Sequence, residues 1–248
     1  NPSFEIKRRD NRYLGLCTSK KLETLPVGGG ENANGSPGQS DSDSLLAALS
    51  IMEQYCDDLC VCDLGCGNGN VMLAAKLIIG CIAHGIDCQL SLAETALVTM
   101  CDVCKDITKN KATSASPGFL QRAQVYRDNP SLLPPVHIAE MSPKAANFIC
   151  ARLLHLKCNA IYAFWAAWTH EAKLAALRMF RDTPQFKMFV CSDYSKREGL
   201  DGFYASFDWQ GKVYLHAIGP TGMKSGGKGF RMWVYSKVDV PYLRIPQV

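Results

Sequence analysis

The stretch Val61-Cys62-Asp63-Leu64-Gly65-Cys66-Gly67-Asn68-Gly69-Asn70-Val71 constrains this chain more than any other. An apolar run from Leu59 to Leu64 reads as a buried strand, three glycines alternate through the bend that follows, and Val71 to Ile79 has the length and composition of a helix. Glycine reaches backbone angles closed to other residues, and its missing side chain lets a ligand lie against the main chain. The helix beyond presents free backbone N–H groups at its start. Those groups can hold a polar or anionic ligand. A second strand, Ile82 to Asp87, ends in an acid 24 residues beyond Asp63. A carboxylate there can accept from both hydroxyls of a ribose, and hydrogen bonds to a charged group are worth roughly 1.5–3 kcal/mol each.

A chain of 248 residues with 47% hydrophobic and 20% charged residues fits one large α/β domain with a packed core, and not a disordered tail. Its 27 basic and 23 acidic residues leave a charge of +4, a mild excess compatible with an acidic partner. Twelve cysteines raise the question of zinc or disulfides. Cys101 and Cys104 form a lone CxxC inside a predicted helix, and no second CxxC or Cys/His pair stands at zinc-ribbon spacing. Most cysteines fall in apolar runs, where free cysteine acts as a small buried hydrophobe, so no metal is expected. A reducing, intracellular compartment goes with that usage. No apolar run reaches the length of a membrane span, so a soluble protein without a membrane partner is expected.

In chain order, residues 1–44 read as a basic arm (Lys7-Arg8-Arg9, Lys20-Lys21) followed by a Gly/Ser/Asn-rich flexible loop, with DNA contact a possible role of the arm. A domain spans 45–248. Its first helix starts near Leu45, capped by Ser42 or Ser44, and Ser42 is a candidate ligand contact. A helix follows over 91–107, then a surface insertion over 108–135 and a third strand from Val136 to Met141. Pro143 opens the next helix, and Ala160 to Trp165 is the fourth strand. Thr169 caps a helix reaching Phe180. Lys187 to Asp193 is the fifth strand, and Lys212–Ile218 with Phe230–Lys237 close the sheet as a hairpin around a glycine-rich active-site loop. The expected fold is α/β: a seven-stranded, mostly parallel Rossmann-like sheet, helices on both faces, and an antiparallel terminal hairpin.

Glycine spacing alone leaves nicotinamide, flavin and S-adenosylmethionine open. Asp63-Leu64-Gly65-Cys66-Gly67-Asn68-Gly69 resembles the first motif of class I S-adenosylmethionine-dependent methyltransferases, in which an acid ends the strand. That resemblance implies cofactor contacts from Asp63, Gly65, Cys66, Gly67, Asn68 and Asn70, a ribose contact from Asp87 with Cys88 beside it, and adenine contacts from Glu140 and Met141. The acceptor side would come from the aromatics Phe164, Trp165 and Trp168 of the fourth strand. The sequence shows neither a Pro-Cys nucleophile nor an Asn/Asp-Pro-Pro-aromatic motif. An aromatic wall suits lysine: its pKa of about 10.4 makes deprotonation near neutral pH cost on the order of 4 kcal/mol, and an apolar channel lowers that cost. DLGCGNG, GID, Tyr-Ala-Phe-Trp and the terminal Thr-Gly-Met-Lys-Ser-Gly-Gly-Lys-Gly-Phe-Arg-Met-Trp-Val-Tyr stretch together resemble the non-SET histone lysine methyltransferases of the disruptor-of-telomeric-silencing family. The resemblance implies a nucleosomal histone lysine as acceptor, a nuclear location, and Phe230, Met232 and Trp233 near the lysine channel. A methyltransferase for RNA or a small molecule, or a silent cofactor-binding subunit, are the alternatives.

Overall fold

The computed structural model describes residues 2–22, 42–110, 115–165, 168–194, 207–209, 211, 213–222 and 228–238. Seven strands form one sheet: β1 (Cys60–Leu64), β2 (Ile82–Asp87), β3 (Val136–Ile138), β4 (Ala160–Phe164), β5 (Met188–Tyr194), β6 (Tyr214–Gly222) and β7 (Lys228–Ser236). Their order is β3-β2-β1-β4-β5-β7-β6, parallel from β3 through β5, with β7 antiparallel to both its neighbours. This is the expected fold class. Around the sheet lie α1 (Pro2–Leu22), α2 (Ser42–Tyr55), α3 (Asn70–Ala74), α4 (Leu90–Asn110), α5 (Pro117–Asp128), α6 (Ala146–His155) and α7 (His170–Asp182).

Central strands are apolar on both faces because helices cover both, as parallel sheets require. The period-2 alternation of side chains then sorts them. Val61, Ala83, Tyr162, Val190 and Val234 pack with α1 to α5, whereas Cys62, Ile86, Ile161, Phe189 and Tyr235 pack with α6 and α7. The second face is strongly aromatic: Trp165 meets Phe189 at 5.2 Å and Phe189 meets Tyr235 at 6.1 Å, ring centre to ring centre.

Three sequence expectations change. The basic arm is helix α1, whose Leu14 and Cys17 are buried against its neighbours. Three of its cations pair within the chain: Lys7 with Glu53 at 2.6 Å, and Arg8 and Arg12 with Asp43 at 3.8 and 3.2 Å. The insertion after α4 carries α5, which buries Phe119 and Ala123. Asp10 of α1 accepts from the Ser116 N–H at 2.8 Å, so α1 is fastened to the start of α5. The terminal strands also run further into the glycine-rich connection than expected, to Gly222 and from Lys228. Residues 223–227 of that connection, expected as an active-site loop, lie outside the described residues.

After the glycine bend, α3 passes into a π turn, Ala75–Ile79. It is closed by a Gly80 N–H donating to the Ala75 carbonyl at 2.9 Å. The Leu77 carbonyl, in the last turn and so without a donor in its own helix, accepts from Arg122 Nε of α5 at 2.8 Å.

Candidate functional site

The bend between β1 and α3 lies at the carboxyl ends of the parallel strands, where open α/β sheets form their ligand crevice. Two ladder-like bonds start it: the Gly65 and Cys66 N–H groups both donate to the Ile86 carbonyl, at 2.7 and 3.0 Å. Asp87, 5% exposed, then staples it. Its Oδ2 accepts from the Gly67 N–H at 2.8 Å and its Oδ1 from the Gln89 N–H at 3.0 Å. A carboxylate offers about four acceptor sites, so these two bonds do not exhaust it. Gly67 has φ +50°, and a Cβ placed there would meet nothing within 4 Å among the described residues. The bend is therefore open above Gly67.

Beneath it the packing is closed. Gly85 on β2 must be glycine for a different reason: a Cβ there would collide with the Met72 sulfur and stand 2.7 Å from Cys66 Sγ. The side chain of Cys66, expected at the cofactor, thus points down into the core, and only its main chain faces the bend. Burial, followed by the charges of Asp63 and Asp87, drives its thiol pKa well up. Asn68 and Asn70 are buried in the bend and at the start of α3.

Asp63 is buried one strand away from Asp87, paired in register with Gly85 on one side and Tyr162 on the other. Burial first, and the Asp87 charge second, raise its pKa well above the usual carboxylate range. The two acids sit close enough for the charge of one to act on the other, and burial disfavours the ionised form of the deeper one.

Alternation along β4 splits the predicted acceptor wall. Phe164, half-buried at the strand end opposite Ser192, lies on the face shared with Asp63. Trp165 lies on the other face, fully buried between Phe189 and Lys173, whose Nζ sits 5.7 Å from its ring centre. Trp233 joins the same aromatic core. Neither presents a surface to an acceptor, which corrects the expectation placed on both. Trp168 returns to the site: its indole is 3.5 Å from where a Cβ on Gly65 would stand. Phe230 holds its place in β7 opposite Tyr194.

At the β2 and β3 ends, Cys88 and Glu140 are exposed and near enough that the Glu140 charge helps raise the Cys88 pKa, after burial and Asp87. β3 stops at Ile138, so Glu140 and the half-buried Met141 stand on the loop beyond it. Ser42 is not at the site. It opens α2, its hydroxyl packed on Gly15 of α1 and its carbonyl accepting from Asn11 Nδ2. Two residues escaped the sequence reading, Gly85 and the buried Ser192 at the end of β5. Gly85 was readable as the glycine of a GID strand end, whereas Ser192 gave no signal.

No family model and no curated protein matches the chain. Among solved structures it is similar to a protein of Pyrococcus horikoshii named as a candidate RNA methyltransferase, at 13% identity over 92% of this chain and 98% of that one, with a TM-score of 0.54. It is also similar to the methyltransferase domain of a bacterial Hen1, at 12% identity over 78% of this chain and 96% of that one, with a TM-score of 0.50. These likenesses establish the architecture: the chain has the Rossmann-like fold of these methyltransferases.

Proposed function

We propose that the chain is an S-adenosylmethionine-dependent methyltransferase acting on RNA. The observation that carries the reading is the bend at Gly67, open above its main chain and stapled from the side by Asp87. The ligand of this reading is a nucleoside lying against that main chain. Asp87 would hold its ribose through the acceptor sites left over from the loop, and Glu140 with Met141 stand where the adenine would lie. Bound so, the sulfonium supplies an electrophilic methyl group. Burial disfavours the charge of Asp63, and a cation beside it would favour that charge, so the pair would prefer a cationic donor over a neutral one. Trp168 covers Gly65 and keeps water from that side of the bend. No polar nucleophile is required of the chain, because holding donor and acceptor in line supplies much of the rate.

For the acceptor, RNA is supported over lysine by two points. The structural neighbour with the higher TM-score is named for RNA, and two of the aromatics expected to sheathe a lysine, Trp165 and Trp233, are in the core instead. The test is incubation with labelled S-adenosylmethionine and, in separate arms, total RNA, a small-molecule extract and reconstituted nucleosomes. Label is expected in RNA. Label in histone lysine would return the acceptor to the protein class, with the nuclear location and DNA contact that go with it. Label in no arm, with donor bound, would make the chain a silent subunit. Calorimetry showing NADH bound and S-adenosylmethionine ignored would overturn the reading entirely.

A further inference from the structure

Far from the glycine bend, at the opposite end of β1, three side chains from separate segments converge. Cys60 opens β1, His84 lies within β2, and Cys158 sits on the turn before β4. All three are buried, and one ligand-type atom of each lies within 4.8 Å of the other two. We propose that this Cys60–His84–Cys158 cluster is a zinc site that ties the entry of β1 to the turn leading into β4.

The geometry matches the ion. Two thiolates each about 2.3 Å from a tetrahedral zinc stand about 3.8 Å apart. The Cys60 and Cys158 sulfurs are 3.7 Å apart. The Leu156 carbonyl oxygen lies 3.6 Å from Cys60 Sγ, on hand for the fourth position. His84 supplies the independent sign. It is 9% exposed, its ring stacks on His137 at 5.9 Å and reaches Cys60, and its Nδ1 is enclosed with no hydrogen-bond partner among the described residues. Buried polar atoms without a partner call for an explanation, an ion among them.

The cluster is also held in advance of any ion. The Cys60 N–H donates to Asn159 Oδ1 at 2.9 Å, and the Asn159 N–H donates back to the Cys60 carbonyl at 3.0 Å. Asn159 Nδ2 donates to the Asp57 carbonyl at 2.9 Å. That bracket fixes the spacing between the two cysteines. Two thiolates and Zn²⁺ leave no net charge in the interior, and a site of thiolate and imidazole prefers zinc or cuprous copper over magnesium or calcium. The sequence hid this site because its ligands are 24 and 74 residues apart, with none of the close pairs that mark zinc ribbons.

The test uses the untagged full chain, expressed with zinc in the medium and purified without chelator. Plasma mass spectrometry should find one zinc per chain, and Co²⁺ added to the stripped protein should give thiolate charge-transfer absorption of a tetrahedral site. Cys158→Ser and His84→Ala should lose the metal, with more than the roughly 10–100-fold affinity loss that a supporting residue costs. Cys101→Ser, outside the cluster, should keep it. Where a variant fails to fold, alkylation of the wild-type chain decides: zinc should protect Cys60 and Cys158 selectively. A wild-type chain carrying no zinc and giving no tetrahedral Co²⁺ spectrum overturns the proposal. So does a Co²⁺ spectrum that survives in both variants, or a Cys60–Cys158 disulfide found in place of metal. None of these readouts depends on methyl transfer.

Discussion

Asp63 folds into the interior beside Asp87, and its raised pKa has a sign that can be tested. The native chain keeps a proton that the unfolded chain sheds near pH 4, so stability falls as pH rises from about 4 through the native value. Asp63→Asn should flatten that slope in denaturant titrations taken across pH. It should also raise the neutral-pH Tm of the free protein by roughly 2–4 °C, the effect of about 1 kcal/mol in a domain of this size. The same substitution should weaken S-adenosylmethionine binding by roughly 10- to 150-fold in calorimetry, as expected for a lost charged hydrogen bond. Gly67→Ala separates ligand from fold in another way. Its Cβ meets no atom of the described residues within 4 Å, so the cost to the free protein is the roughly 1–2 kcal/mol of a left-handed alanine. Donor binding should fall more than tenfold, because the methyl stands where the ligand would lie. These positions were legible in the sequence because acids and glycines at a strand-to-helix bend have few other uses. Trp165 and Trp233 were not, since an aromatic at a strand end reads the same whether its face is core or crevice. Only the alternation fixed by strand pairing decides between them.

Among the elements, α1 shows where charge reading stops. Lys7 and Arg8 look like a solvated arm until Asp10, Leu14 and Cys17 are seen to share one face at helical spacing, and that stripe is what packs. α5 was missed because its buried residues, Phe119 and Ala123, are too few to give a pattern within a polar stretch. The N-cap of α7 was legible, and Thr169 accepts from the Ala172 N–H at 3.2 Å as its chemistry predicts. The other end of α7 was not. Lys237, just past β7, donates from Nζ to the carbonyls of Phe180 and Thr183. Burial, and then Lys187, lowers its pKa to about 8. Between about pH 8 and the unfolded value near 10.4 the unfolded chain holds more protons, so this residue makes stability rise with pH. Lys237→Met should abolish that rise. It should also cost about 1–3 kcal/mol at neutral pH, from two carbonyls left without a donor, measurable by urea denaturation.

As a whole, the molecule divides its labour across the sheet. The face under α1 to α5 carries Asp63, Asp87 and the bend, and the face under α6 and α7 carries the aromatic mass that stiffens the strands. The fold class was legible because apolar runs, caps and breaks alternate along the chain as strand and helix, with two strands in succession at the end. Long-range pairing such as Cys60 with His84 and Cys158 was not, because it exists only once the strands are side by side. A ligand held by several elements at once should stabilise all of them together. S-adenosylmethionine at 100 times its Kd should add about 2.7 kcal/mol, raising Tm by roughly 5–10 °C in one cooperative transition. The π turn behind the bend carries a last consequence. Its carbonyl at Leu77 is taken by a guanidinium 45 residues downstream, so the segment behind the bend cannot be finished while only the first hundred residues have left the ribosome. Ribosome-stalled chains ending before Arg122 should be cut by protease within 70–80, and chains extended past Asp128 should resist.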